Sequence, residues 1–234
     1  MGTKLCTGLL ATLMVGVSAT PDVVLATFDG VDKTTTFQWV VSNDNVMGGS
    51  STSTFVNSNS TGVFNGTCAI VKYLNAPGNA AVHTSASQEL PSTSFHSAAS
   101  AVGGTFDLML RSSTPAYQGF FAGWSAEGIP IKPQYGHGTG SFKAPFQLAD
   151  HTDWQLVQIP MSAFSDDWSP FTGHCETKDP TGKQHHCCGA GDAAQYCPTA
   201  TFLSGLTDIA IWAEGVAGDF HIELKWVGAS NAAR

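Results

Sequence analysis

Trp39-Val-Val-Ser-Asn-Asp-Asn-Val-Met-Gly-Gly-Ser50 is the stretch whose reading decides how this chain folds. A short apolar run ends in the polar triplet Asn43-Asp44-Asn45, and the pair Gly48-Gly49 launches a second strand-like run. Asn and Asp favour turns because their side chains bond to nearby backbone. Gly permits positive φ or the close approach of another group. The stretch holds no nucleophile with a base, no phosphate cradle and no metal cage. It reads as architecture: strand, tight polar turn, strand.

Outward from this turn, apolar runs recur at short intervals. The pattern predicts strands at Phe37–Val41, Ser51–Val56, Gly62–Phe64, Thr67–Tyr73, Ala80–Thr84, Gly104–Arg111 and Gln118–Trp124. Four more are predicted at Gly140–Pro145, Trp154–Ile159, Leu206–Ala213 and Asp219–Val227. The last alternates with period two, placing Phe220, Ile222, Leu224 and Trp226 inward and His221, Glu223 and Lys225 outward. No window of a dozen residues keeps a helical period. Many short strands joined by Gly-, Pro- and Ser-rich turns imply an all-β sandwich or jelly roll in one domain, residues 20–234. Trp39, Trp154, Trp212 and Trp226 sit in strand-like runs and are expected in the core, with Met47 as a core plug.

The 234 residues can bury a full core, and 42% hydrophobic content with mean hydropathy near zero is globular. Only 12% of residues are charged, about half the usual share, so polarity rests on Ser, Thr, Asn and Gly. The formal charge of -8 and the absence of any Lys/Arg cluster exclude a nucleic-acid partner, which requires a basic face. Residues 1–19 read as a secretory signal peptide: Lys4, the uncharged apolar run Leu5–Val17, and Val17-Ser18-Ala19 at the cleavage position. The run is too short for a membrane span. A secreted or other secretory-pathway location is therefore expected.

Cysteine usage agrees with export. Cys6 lies in the signal, Cys68 reads as a buried free thiol, and Cys175, Cys187, Cys188 and Cys197 crowd into one aperiodic segment, residues 172–201. These four imply two disulfides stapling a long loop. Three pairings are open, and Cys187–Cys188 is the least favourable because adjacent residues bridge only with strained geometry. His174, His185 and His186 add soft ligands, yet paired C-x₂-C knuckles are absent, so disulfides are expected before zinc. Asn59-Ser-Thr61 and Asn65-Gly-Thr67 are N-glycosylation sequons.

The opening stretch resembles the "W…NDxVMGG-S" signature of the NADH:ubiquinone oxidoreductase intermediate-associated protein 30 family. Phe64-Asn-Gly66 is similar to that family's "F-x-G" strand. Trp154-Gln-Leu-Val-Gln-Ile-Pro-Met-Ser-Ala-Phe164 is similar to its "W…v.lPfs.F" segment, and Leu206–Ile211 with Gly218–Leu224 to its closing strands. The resemblance spans roughly residues 25–228 and implies a galactose-binding-like jelly roll, related in shape to carbohydrate-binding modules. Family members are mostly assembly factors or binding modules without established catalysis. The sequence departs from the pattern in its secretory signal, in Arg111-Ser-Ser-Thr-Pro-Ala-Tyr117 where "GDGxxY" is usual, and in the Cys-rich insertion.

Function is expected from aromatic rings in loops. Tyr117, Trp124, Tyr135 and Trp168 are candidates to stack on a pyranose, and Asp44 and His137 to bond its hydroxyls. Asp44 also reads as a turn carboxylate, and a structural calcium there is the one cofactor left open. No G-x-S-x-G, H-E-x-x-H or P-loop occurs, and the acids Asp166, Asp167, Glu176, Asp208, Glu214 and Glu223 form no pair that sequence can identify. The expectation is a secreted, monomeric, non-catalytic binding module for carbohydrate. An assembly or scaffolding factor that binds protein is the second expectation, and a polysaccharide-active enzyme the third.

Overall fold

The computed structural model describes residues 20–74, 76–85, 94–130, 140–175, 178–190 and 194–232. The predicted signal peptide lies outside them. Among the described residues, eleven strands form two antiparallel sheets packed face to face. They are β1 (Val23–Thr27), β2 (Gln38–Asn43), β3 (Thr52–Ser58), β4 (Thr61–Cys68), β5 (Asn79–Ser85), β6 (Thr105–Arg111), β7 (Phe120–Ala126), β8 (Ser141–Pro145), β9 (Gln155–Pro160), β10 (Leu206–Glu214) and β11 (Gly218–Ser230). One sheet runs β3-β4-β11-β6-β9, with β1 paired to the second half of β11; the other runs β2-β5-β10-β7-β8. This is the expected jelly-roll sandwich.

The core forms because alternate residues of both sheets point into one layer. Phe64, Leu108, Leu110, Ile222 and Leu224 from the first sheet meet Val82, Phe120, Trp124, Phe142 and Ile211 from the second, all fully buried. On β11 the inward beat of Phe220, Ile222 and Leu224 holds, but the register against β6 shifts between Leu224 and Trp226. After that bulge, Val227 and Ala229 turn inward and Trp226 is left only partly buried, a correction to the sequence reading. Trp39, Trp154 and Trp212 are also only partly buried, and Met47 is 65% exposed instead of plugging the core. Two boundaries differ as well. Gly62–Phe64 and the start of Thr67–Tyr73 merge into β4, and Lys72–Leu74 forms a 3₁₀ turn. Strand β1 escaped the sequence pattern.

The Asn43–Ser50 stretch joins β2 to β3 through a 3₁₀ turn, Asp44–Met47, closed by Gly48 at φ 84°. The Asp44 carboxylate then becomes a hub. It accepts hydrogen bonds from Ser51 N (3.0 Å), Ser51 Oγ (3.0 Å) and, across 35 residues, Asn79 N (2.9 Å). Gly49 is required because a Cβ there would stand under 3.0 Å from Asp44 Cγ. The turn thereby ties the start of β3 to the start of β5, one strand in each sheet.

The Cys-rich segment packs over the β8 edge of the second sheet. Cys175 pairs with Cys187 and Cys188 with Cys197, while Cys68 is buried and free. With all four thiols paired, none is available to zinc. Buried His185 faces Asp167 (3.0 Å) through Nδ1 and Asp179 (3.3 Å) through Nε2, which fixes the loop's centre. Ser165 and Lys143 exchange two backbone hydrogen bonds, which fix its base to β8. The five-residue helix α1 (Ala200–Ser204), capped by Thr199, returns the chain to β10. Of the two sequons, Asn59 sits in the exposed β3–β4 turn, whereas Asn65 lies within β4 and accepts from Thr54.

Candidate functional site: an aromatic groove on the five-stranded face

The side chains that alternate with the core residues of β5, β10, β7 and β8 form the outward face of the second sheet. At its centre they are small: Ala81 lies opposite Trp212, and Ala210 lies between His83 and Gly123. This makes a depression of about 220 Å³ crossing the strands, lined by Ser42, His83, Trp212, Asp208, Ser125 and Ser141. The Trp212 indole lies along its floor. A Cβ on Gly123 would stand under 3.0 Å from both the Phe142 carbonyl oxygen of β8 and Trp212 Cζ3, so glycine is needed for the strand pairing and for the ring above it.

His83 and Asp208 form the polar wall. His83 Nδ1 lies 3.1 Å from Thr84 O and 3.5 Å from Asp208 Oδ2, which leaves Nε2 for the groove. Hydrogen bonding to Asp208 raises the His83 pKa above its ordinary value, against the opposing effect of burial. Burial raises the Asp208 carboxyl, with His83 and Thr84 opposing it.

Beside the groove, Lys143 and Glu214 form an ion pair with only 4% and 3% of each residue exposed. The ammonium is caged by rings: its Nζ is 4.4 Å from the Trp168 centroid, 4.6 Å from Phe121 and 5.1 Å from Trp212. Burial pushes the Lys143 pKa down while Glu214 resists. This cage joins the floor residue Trp212 to Trp168, which precedes the Cys-rich segment. Past Trp168 lies a second cleft of about 390 Å³ with Met47, Leu74, Pro77 and Pro170 among its walls, and Asn79 lines both depressions.

The sequence-predicted residues scatter. Trp168 is partly exposed and stands between the two clefts. Asp44 lies buried beside the second cleft with both carboxylate oxygens accepting bonds from Ser51 and Asn79, the turn carboxylate of the sequence reading. Trp124 is completely buried against Phe142, and a ring in that position cannot stack on a ligand. Tyr117 is also buried, packed on Phe120 with its hydroxyl donating to Val216 O, so it too is a core residue. Tyr135 and His137 lie outside the described residues. Sequence reasoning missed Trp212 and His83 as site residues and named Asp208 only among the acids of the enzymatic reading. The signal was present: in Leu206–Ala213 the alternation that buries Ile209 and Ile211 sends Asp208, Ala210 and Trp212 the other way.

A family model, complex I intermediate-associated protein 30, matches residues 27–176. The chain belongs to that family. No curated protein matches it in sequence. Among solved structures, similarity is found to an agarase, at 12% identity and a TM-score of 0.49 over 90% of this chain and 25% of the agarase. It is also found to the family 11 carbohydrate-binding module of the cellulosomal cellulase Lic26A-Cel5E of Clostridium thermocellum, at 13% identity and a TM-score of 0.44 over 91% of this chain and 98% of the module. The chain thus spans a quarter of the agarase. The family match ends inside the Cys-rich segment, so that β10, which supplies Trp212 and Asp208, follows the matched region.

Proposed function

We propose that this member of the family is a secreted, non-catalytic carbohydrate-binding module whose ligand lies in the groove across the five-stranded face. The observation that carries the reading is the Trp212 indole lying over Gly123, with His83, Asp208 and the serine side chains of Ser42, Ser125 and Ser141 around it. A pyranose ring has an apolar C–H face and hydroxyls at its edge. A flat aromatic floor with polar groups at its rim complements both. The net charge of -8 favours a neutral glycan over a polyanion. Catalysis is disfavoured because the acids are engaged: Asp208 with His83 and Thr84, Glu214 with Lys143. The two disulfides support an oxidising destination.

Isothermal titration of the chain lacking residues 1–19 against soluble neutral polysaccharides tests this. Binding is expected, and Trp212→Ala should weaken it at least tenfold. Absence of binding to every glycan, or full affinity in Trp212→Ala, would sink the proposal. A second reading, a protein-binding assembly role, is favoured by the family's description and by the exposed apolar side chains Met47, Ile70 and Tyr73. Stoichiometric co-purification with a respiratory-complex subunit, lost in Tyr73→Asp, would support that role.

A further inference from the structure

The second cleft differs in kind from the groove beside it. Its walls are the apolar side chains Met47, Val71, Leu74, Pro77 and Pro170 with the edge of Trp168. Two acids, Asp44 and Glu214, reach it, but each is buried and already engaged: Asp44 by three donors, Glu214 by Lys143. The cleft therefore offers no available charge to an ion. A sugar hydroxyl placed against its walls would lose water without gaining a partner. Among the described lining residues, Asn79 is the one uncharged polar side chain other than the Trp168 indole, and it lines both the cleft and the groove. At about 390 Å³ the cleft has room for a substituent projecting from a glycan held in the groove.

We propose that this cleft receives an O-acyl ester carried by the glycan in the groove, so that the preferred ligand is an acylated, in particular an O-acetylated, neutral polysaccharide. This rests on the carbohydrate reading above. The acetyl methyl packs against Leu74, Pro77 and Trp168, while the Asn79 amide donates to the ester carbonyl at the junction. The ester carries no hydroxyl and no charge, which matches a site whose acids are already neutralised by their own neighbours.

The test is titration against matched pairs: acetylated xylan and glucomannan, each in native and alkali-deacetylated form. The acetylated form is expected to bind about fourfold tighter, the equivalent of ~0.8 kcal/mol for one buried methyl at 1.4 kcal/mol per tenfold. Leu74→Asn should erase the preference while leaving affinity for the deacetylated glycan unchanged. Met47→Gln, at a position 65% exposed and so neutral for folding, should reduce it. Equal affinity for both forms overturns this inference and leaves the carbohydrate reading standing. No binding to either form overturns the carbohydrate reading itself, and this one with it.

Discussion

Replacing Gly49 by alanine tests the account of the Asn43–Ser50 turn directly. The added Cβ would lie under 3.0 Å from Asp44 Cγ, and a buried carboxylate between two strands has nowhere to retreat without breaking its bonds. Two backbone donors, Ser51 N and Asn79 N, would lose their acceptor, together with the Ser51 hydroxyl. Each orphaned buried donor costs about 1–3 kcal/mol, so a loss of roughly 3 kcal/mol is a moderate expectation. For a domain of this size that lowers Tm by about 6–12 °C. The natural control is Gly103→Ala, where nothing lies within 4 Å of the new Cβ and φ is not positive. Thermal and urea unfolding followed by tryptophan fluorescence should separate the two variants clearly. If Gly49→Ala unfolds within about 0.5 kcal/mol of Gly103→Ala, Asp44 is not a tie between the sheets and the argument for the Gly-Gly pair fails.

Two further outcomes are expected. Lys143→Met leaves Glu214 charged and buried among rings, which should cost about 3–5 kcal/mol; the double variant Lys143→Met/Glu214→Leu should recover most of it, and equal losses in the two would show that the pair is not the cause. His83 should make stability pH-dependent. Because Asp208 raises its folded pKa above the ordinary 6.5, its contribution is full below that value and is lost as pH rises through the folded pKa. The difference in urea midpoint between the native chain and His83→Gln should therefore shrink as pH rises above about 6.5, and a constant difference would contradict the His83–Asp208 interaction.

Much of the fold was legible because a period of two is a local property. Strands β5, β6, β7, β8, β9 and β10 lie within two residues of their predicted ends, and the alternation on β11 up to Leu224 is correct. The failures have particular causes. A bulge turned Trp226 outward, and a bulge depends on the partner strand β6, which no window of β11 contains. Met47 has the composition of a core residue, but the 3₁₀ turn that carries it projects into solvent. The site was less legible than the fold. Trp124 and Trp212 are both tryptophans on central strands, three registers apart in the pairing of β7 with β10. One faces the core and the other the groove, and their chemical type does not distinguish them.

By itself, the sequence determined the sandwich architecture, the Asn43–Ser50 turn and the crowding of four cysteines into one loop. Each of these depends on residues close together in the chain: alternation, turn chemistry and spacing. Only the tertiary structure decided which cysteines pair, which tryptophan forms the groove floor, and that Asp44 bonds to Asn79. Those outcomes depend on strands brought together from distant parts of the chain. Ala81, Ala210 and Gly123 make a depression only when β5, β10 and β7 lie side by side, and Trp212 becomes a platform only because Gly123 leaves room beneath it.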